Sequence, residues 1–212
     1  MTTSTYVTSN YAIGNSDSPS VALTHSSGTS IASVFILHCP YAPSVVTFDS
    51  SATGVALAHS EITQSSFRIY IYTKFGVLAG SHTWNATIGG AAWLCGCVQV
   101  NDANAVGLKT QYNSINSESW GLHLNIATTS LMVGGDTWEY GHGSHTVAAG
   151  TSMYNTTSSN QRGASGVYRQ GVGGETTLSF SSALTPVGAC AIELYYDPTI
   201  VSTSLLSPMW FF

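Results

Sequence analysis

Hydrophobic and polar residues alternate along most of this chain. In the segment 66–75, Ile69 and Ile71 alternate with Arg68 and Tyr70, and a period of two places these pairs on opposite faces of a β-strand. Similar short runs, rich in β-branched and aromatic residues, lie at 34–38, 45–48, 55–62, 82–88, 93–100, 120–126, 130–133, 137–140, 167–170, 176–180 and 189–196. No window carries an apolar stripe at helical spacing, so the pattern predicts an all-β protein of about 11–13 strands with little or no helix.

Turn-forming residues separate these runs. Two glycines predict a tight turn between residues 88 and 91, and two more predict a hairpin over Val133–Asp136. The Ser-, Thr- and Asn-rich segment 150–166 predicts an exposed loop or edge, and a single short helical turn is expected at most, near 101–106. Short strands with turn signals about every 8–12 residues are typical of an antiparallel two-sheet jelly-roll sandwich.

The chain is predicted to have three parts. Residues 1–19 form an N-terminal arm or a first edge strand, 20–197 form the sandwich, and 198–212 form an apolar C-terminal tail. This tail shows no alternation and ends in a cluster of large apolar side chains: Leu205, Leu206, Met209, Trp210, Phe211 and Phe212. Because exposing such a cluster to water costs free energy, we expect these residues to form an interface, either with their own sandwich or with a neighbouring subunit.

The chain is unusually poor in charge. Five Lys and Arg stand against ten Asp and Glu, so only 7% of the residues are charged, whereas Ser and Thr number 31 and 25. Nucleic-acid binding and polybasic membrane binding both need clustered cations, and we therefore expect neither partner. Because the sequence shows no long apolar run and no secretory signal, it predicts synthesis in a cytoplasm.

The candidates for chemistry are few. His142 and His145 lie three residues apart near Asp136 and Glu139 and could chelate a divalent metal, but the other five histidines are dispersed, which favours no metal and no cofactor. The four cysteines are expected to be buried free thiols. No Gly-x-Ser-x-Gly elbow and no carboxylate pair is present, so the sequence predicts no enzymatic activity.

Several aromatic residues allow two interpretations. Tyr70, Tyr72 and Trp138 lie on predicted strands and could stack on sugars at a surface, because a flat aromatic ring binds a sugar without any charge. The same residue types also fill sandwich cores and subunit interfaces. The sequence leaves both interpretations open.

The order of the strands resembles that of a known domain. The runs Val34–His38, Val45–Asp49, Phe67–Tyr72, His82–Thr87, Ala91–Val100 and Ala189–Tyr196 look like the jelly-roll sandwich that recurs in structural proteins of tailed bacteriophages. The resemblance implies a non-enzymatic virion protein, foremost a capsid decoration or cement protein. Its partners would be further copies of itself, with a trimer expected first, and the major capsid protein. The alternative is a tail-fibre or receptor-binding module that contacts host glycans. An uncharged, hydroxyl-rich surface suits such assembly, because neighbouring copies do not repel one another.

Overall fold

The computed structural model describes residues 2–62, 67–138, 145–157 and 163–200. These residues form strands and no helix, so the all-β prediction is confirmed. The strands are β1 (Thr5–Ser16), β2 (Ser20–His25), β3 (Ile31–Cys39), β4 (Val45–Phe48), β5 (Val55–Ile62), β6 (Arg68–Val77), β7 (Gly80–Thr87), β8 (Ala91–Asn101), β9 (Ala105–Ile126), β10 (Leu131–Trp138), β11 (Thr146–Ala149), β12 (Thr151–Thr157), β13 (Gly163–Gln170) and β14 (Gly174–Tyr195).

The strands form three antiparallel sheets. Sheet I has the order β2-β7-β4, and sheet II has the order β1-β8-β3-β6-β5. Sheet III has the order β11-β14-β10-β13-β12, with β9 paired to β14 as well. Strand β1 is therefore an edge strand of sheet II and not a separate arm.

Sheet II lies between the other two sheets and is buried on both faces. Phe35 of β3 packs against Trp84 of sheet I, with ring centroids 5.3 Å apart, whereas its neighbour Ile36 packs with Val133 and Ile192 of sheet III. All nine residues of β3 are buried. This explains the continuous apolar run of β3, because a strand covered on both faces does not need to alternate.

The long strands β9 and β14 add a further layer. The register of their pairing shifts between Ser181 and Val187, and residues from both sides of this shift share one core cluster. Leu178 and Phe180 pack there together with Ala189 and Ala191. One half of the β9–β14 ribbon thus covers the outer face of the other half, so the molecule has four layers where the sequence predicted a two-sheet sandwich.

Several local predictions need correction. Val133–Asp136 is not a hairpin but the middle of β10, paired on both sides with β13 and β14. Its glycines are needed for close packing, because a Cβ atom at Gly135 would lie 2.2 Å from the carbonyl oxygen of Ser165. The short helical turn near 101–106 is also absent, since Asp102 has a positive φ of 56° and β9 begins at Ala105. The segment 150–166, for which a loop or an edge was predicted, contains the whole edge strand β12 and the start of β13.

Candidate functional site

The pairing of His145 with Asp136 lies inside the molecule. His145 Nε2 is 2.7 Å from Asp136 Oδ2, and the two side chains are 1% and 0% exposed. The Ser165 hydroxyl donates to the other oxygen of Asp136, and the indole of Trp138 stacks on the imidazole with ring centroids 4.0 Å apart. Strands β10 and β13 bring these side chains together because Asp136 and Ser165 are directly opposite in the ladder.

This order of groups does not activate a nucleophile. A catalytic serine needs the imidazole at its own hydroxyl, so that the ring can accept the proton. Here Asp136 lies between Ser165 and His145 and accepts from the serine itself. Asn155 of β12 also donates to the backbone carbonyl of His145 at 3.0 Å, so the cluster ties β10, β13 and β12 together as a structural anchor.

The structure brings together only part of the predicted set of metal ligands. Of the predicted residues, His145 and Asp136 come together, whereas His142 and Glu139 lie outside the described residues. Within the described part of the chain, no group of three or more His, Cys, Asp or Glu side chains is arranged to hold a metal ion.

The cysteines are free and buried, as the sequence predicts. Burial raises the pKa of Cys39 and Cys97 to about 12 and that of Cys95 and Cys190 further. A thiol with such a pKa is neutral at pH 7 and a poor nucleophile.

The three aromatic residues proposed for sugar contact differ in their exposure. Trp138 is 2% exposed and is covered by His145, so it offers no ring face to a sugar. Tyr70 is 6% exposed, and Tyr72 is partly buried against the core between sheets I and II. The ring of Trp138 is therefore not accessible to a sugar in this structure, and Tyr70 has only a small accessible area.

Tyr70 nevertheless lines a cleft with polar walls. The cleft has a volume of about 370 Å³ and is lined by Ser60, Glu61, Arg68 and Tyr70. Arg68 Nη1 donates to the Tyr70 hydroxyl at 3.3 Å, and Asn113 Nδ2 donates to Glu61 Oε1 at 3.0 Å. Burial raises the pKa of Tyr70, an effect that Arg68 partly opposes. A guanidinium, a carboxylate and a phenol in one cleft are groups that can hold a small hydroxylated ligand.

A second candidate site is a flank of the molecule made of three strand edges. Strands β2, β1 and β12 are edge strands of sheets I, II and III, and two contacts hold them side by side. Asn10 Nδ2 donates to the carbonyl oxygen of Ala22 at 2.8 Å, and Tyr11 stacks on Tyr154 with centroids 5.7 Å apart. None of the three strands contains Asp, Glu, Lys or Arg. We call them the uncharged flank.

The opposite edges of sheets II and III carry charge. Strand β5 contains Glu61, and β9 contains Lys109 and Glu118. The hydrogen bond from Asn113 to Glu61 joins the two strands. We call β5 and β9 the charged flank. The sequence shows that 5–16 and 151–157 lack charge, but it does not show the contrast between the two flanks, because only the fold makes these segments neighbouring edges.

Comparison with protein-family models, curated proteins and solved structures finds no match to this chain. Among the described residues, no helix has the length and apolar character that crossing a membrane would need. The apolar cluster Leu205, Leu206, Met209, Trp210, Phe211 and Phe212 lies outside the described residues.

Proposed function

We propose that this chain is a non-enzymatic structural protein of a bacteriophage particle, and foremost a capsid decoration or cement protein. The observation that carries the proposal is the uncharged flank, three neighbouring strand edges without a charged residue. Monomeric proteins usually protect a long edge with charge, proline or a covering segment. An edge without such protection suits a protein that assembles with other protein subunits.

The pairing of the first eight strands supports the same role. The pairs β1–β8, β2–β7 and β3–β6 arise when a long antiparallel ribbon is wound into two sheets, which is the jelly-roll pattern of many capsid domains. Strand β5 departs from this pattern, because it pairs with β6 in sheet II and not with β4 in sheet I. The pairing therefore supports the proposal for β1 to β8 only, because the run Ala189–Tyr196, on which the resemblance also rests, belongs to sheet III.

Locating the chain on particles tests this proposal. We expect purified particles to contain many copies, placed on the shell at positions that follow the capsid lattice. Electron microscopy of the particles combined with quantitative mass spectrometry measures both. Absence of the chain from particles would refute the structural role, and a few copies at the tail tip would refute decoration.

The cleft at Tyr70 favours a second candidate function, contact with host glycans. Its arginine, carboxylate and phenol are suited to sugar hydroxyls. Under this alternative, a glycan array detects binding that the substitution Arg68→Met abolishes and that Arg169→Met leaves intact, because Arg169 donates to the carbonyl of Thr177, away from the cleft. Equal binding by both variants, or none by the wild type, excludes the cleft as a glycan site.

A further inference from the structure

The backbone of β1 has hydrogen-bonding groups that point away from its own sheet. Strand β1 pairs with β8 alone, and from Thr8 to Ser16 the register is unbroken. The N–H of Tyr11 donates to Asn10 Oδ1 at 2.9 Å and not to β8. Because inward and outward residues alternate along an antiparallel edge, Ser9, Ile13 and Asn15 also direct their backbone groups outward.

From Thr8 to Ser16, beyond the register shift between Tyr6 and Thr8, this edge lacks the features that prevent pairing. Strand β1 has 12 residues, about twice the usual length of a strand, and contains neither proline nor a charged side chain. Tyr11 and Ile13 are 48% and 43% exposed. Among the described residues, no backbone group bonds to the outer edge of Thr8–Ser16.

We propose that β1 pairs antiparallel with β1 of a second copy of this chain, about a two-fold axis, so that sheet II continues from one copy into the next. An edge strand can be its own partner under two-fold symmetry, because each outward N–H then meets an outward carbonyl of the same sequence. This inference names a partner for the proposed structural role, and the biological purpose of the pairing rests on that role.

The neighbouring edges favour a second copy over another partner. Strand β12 lies beside β1 through the Tyr11–Tyr154 contact, so a two-fold arrangement also brings the uncharged edge of sheet III towards its equivalent. No charge on β1, β2 or β12 opposes this approach, and no charge is present for an acidic or basic partner to recognise. A two-fold contact closes at two copies, so it predicts a dimer where the resemblance implied a trimer.

The test uses the isolated full chain. Sedimentation or light scattering of the wild type is expected to give the mass of two chains, and Ile13→Lys the mass of one, because a lysine on an edge strand opposes pairing. The control is Leu78→Lys, the same change at a residue that is 78% exposed outside the flank; it is expected to stay dimeric. Circular dichroism is expected to show the same fold for all three proteins. A monomeric wild type, or an Ile13→Lys variant that stays dimeric, overturns the proposal.

Hydrogen exchange distinguishes self-pairing from coverage by the chain itself. The amides of Ser9, Ile13 and Asn15 are expected to exchange more slowly as the protein concentration rises. Protection that does not depend on concentration would mean that another segment of the same chain covers the edge, and this also overturns the proposal. These assays use the isolated protein and no phage particle. If the chain proves absent from particles, the dimer measurements are unaffected, so failure of the virion role and failure of β1 self-pairing are distinguishable.

Discussion

The two flanks of the molecule are built from the same kind of element but differ in charge. On the uncharged flank, the edge strands β2, β1 and β12 contain only neutral side chains. On the charged flank, β5 and β9 carry Glu61, Lys109 and Glu118. Both sets of edges have backbone groups that another strand could use, so the difference in side chains decides which edge is open to pairing.

This difference shows where the few charges of the chain are placed. Of the five cations, Arg68 and Lys74 lie on β6, next to edge strand β5, and Lys109 lies on edge strand β9 itself. Lys74 also bonds to the carbonyl of Thr53 at 2.7 Å, beside the start of β5. A low overall charge therefore does not mean uniform neutrality, because one side is protected by charge and the other is not.

The largest effect is expected from removing the anchor that holds β12 on the uncharged flank. The substitution Asp136→Ala leaves His145 and Ser165 buried without their shared acceptor. Each buried group left without a hydrogen-bond partner in this way costs about 1–3 kcal/mol of unfolding free energy, and urea denaturation measures the total loss.

An exposed carboxylate that also lies beside a histidine is the matched control. Glu175 lies 3.5 Å from His123, and both side chains are more than half exposed. Because exposed ion pairs contribute little, Glu175→Ala is expected to change the unfolding free energy by less than about 1 kcal/mol. Equal losses in the two variants would contradict the anchoring role of Asp136.

The second prediction concerns acid stability. His38 of β3 is buried, and its Nε2 lies 2.8 Å from the Tyr154 hydroxyl of β12. Burial lowers the pKa of His38 from 6.5 to about 3. Below pH 6.5 His38 therefore binds a proton in the unfolded chain but not in the folded chain. The unfolding free energy decreases as the pH falls through this range, because protonation stabilises the unfolded chain. The loss reaches about 2 kcal/mol at pH 5.

Replacing the histidine tests this assignment. In His38→Gln the unfolding free energy is expected to fall less between pH 7 and pH 5 than in the wild type, whatever the cost of the substitution at pH 7. His123→Gln is the control, since the His123 side chain is 53% exposed and is solvated in both states. An unchanged pH dependence in His38→Gln would show that other groups cause the loss.

Local patterns predicted the elements better than their arrangement. The bounds of β4 and β5 agree with the predicted runs 45–48 and 55–62, because strong alternation and clear turn residues mark both. The ribbon of β9 and β14 was predicted only in fragments. Its bend brings residues as far apart in sequence as Leu178 and Ala191 into one core cluster, and no local pattern encodes that packing.

The candidate sites show the same limit. Asp136 and His145 are nine residues apart, and proximity in sequence was enough to suggest a pair. Ser165 is 29 residues from Asp136 and Tyr154 is 116 from His38, so only the sheet pairing reveals these partners. The uncharged flank shows both situations. The sequence shows that each of its strands lacks charge, but it does not show that the three strands are neighbours.

The smallest effect on stability is expected from making the charged flank resemble the uncharged one. Lys109 and Glu118 are exposed on the edge strand β9, so the double substitution Lys109→Ser and Glu118→Ser is expected to change the unfolding free energy by no more than about 0.5 kcal/mol. Its effect is expected in association, because an edge without charge can accept another strand. Light scattering is expected to show species larger than the wild-type dimer. Substituting Ser for Gln111 and Asn125, two exposed neutral residues of the same strand, removes no charge and serves as the control, which is expected to form no larger species. A double variant of β9 that stays at the wild-type mass would show that charge is not what separates the two flanks.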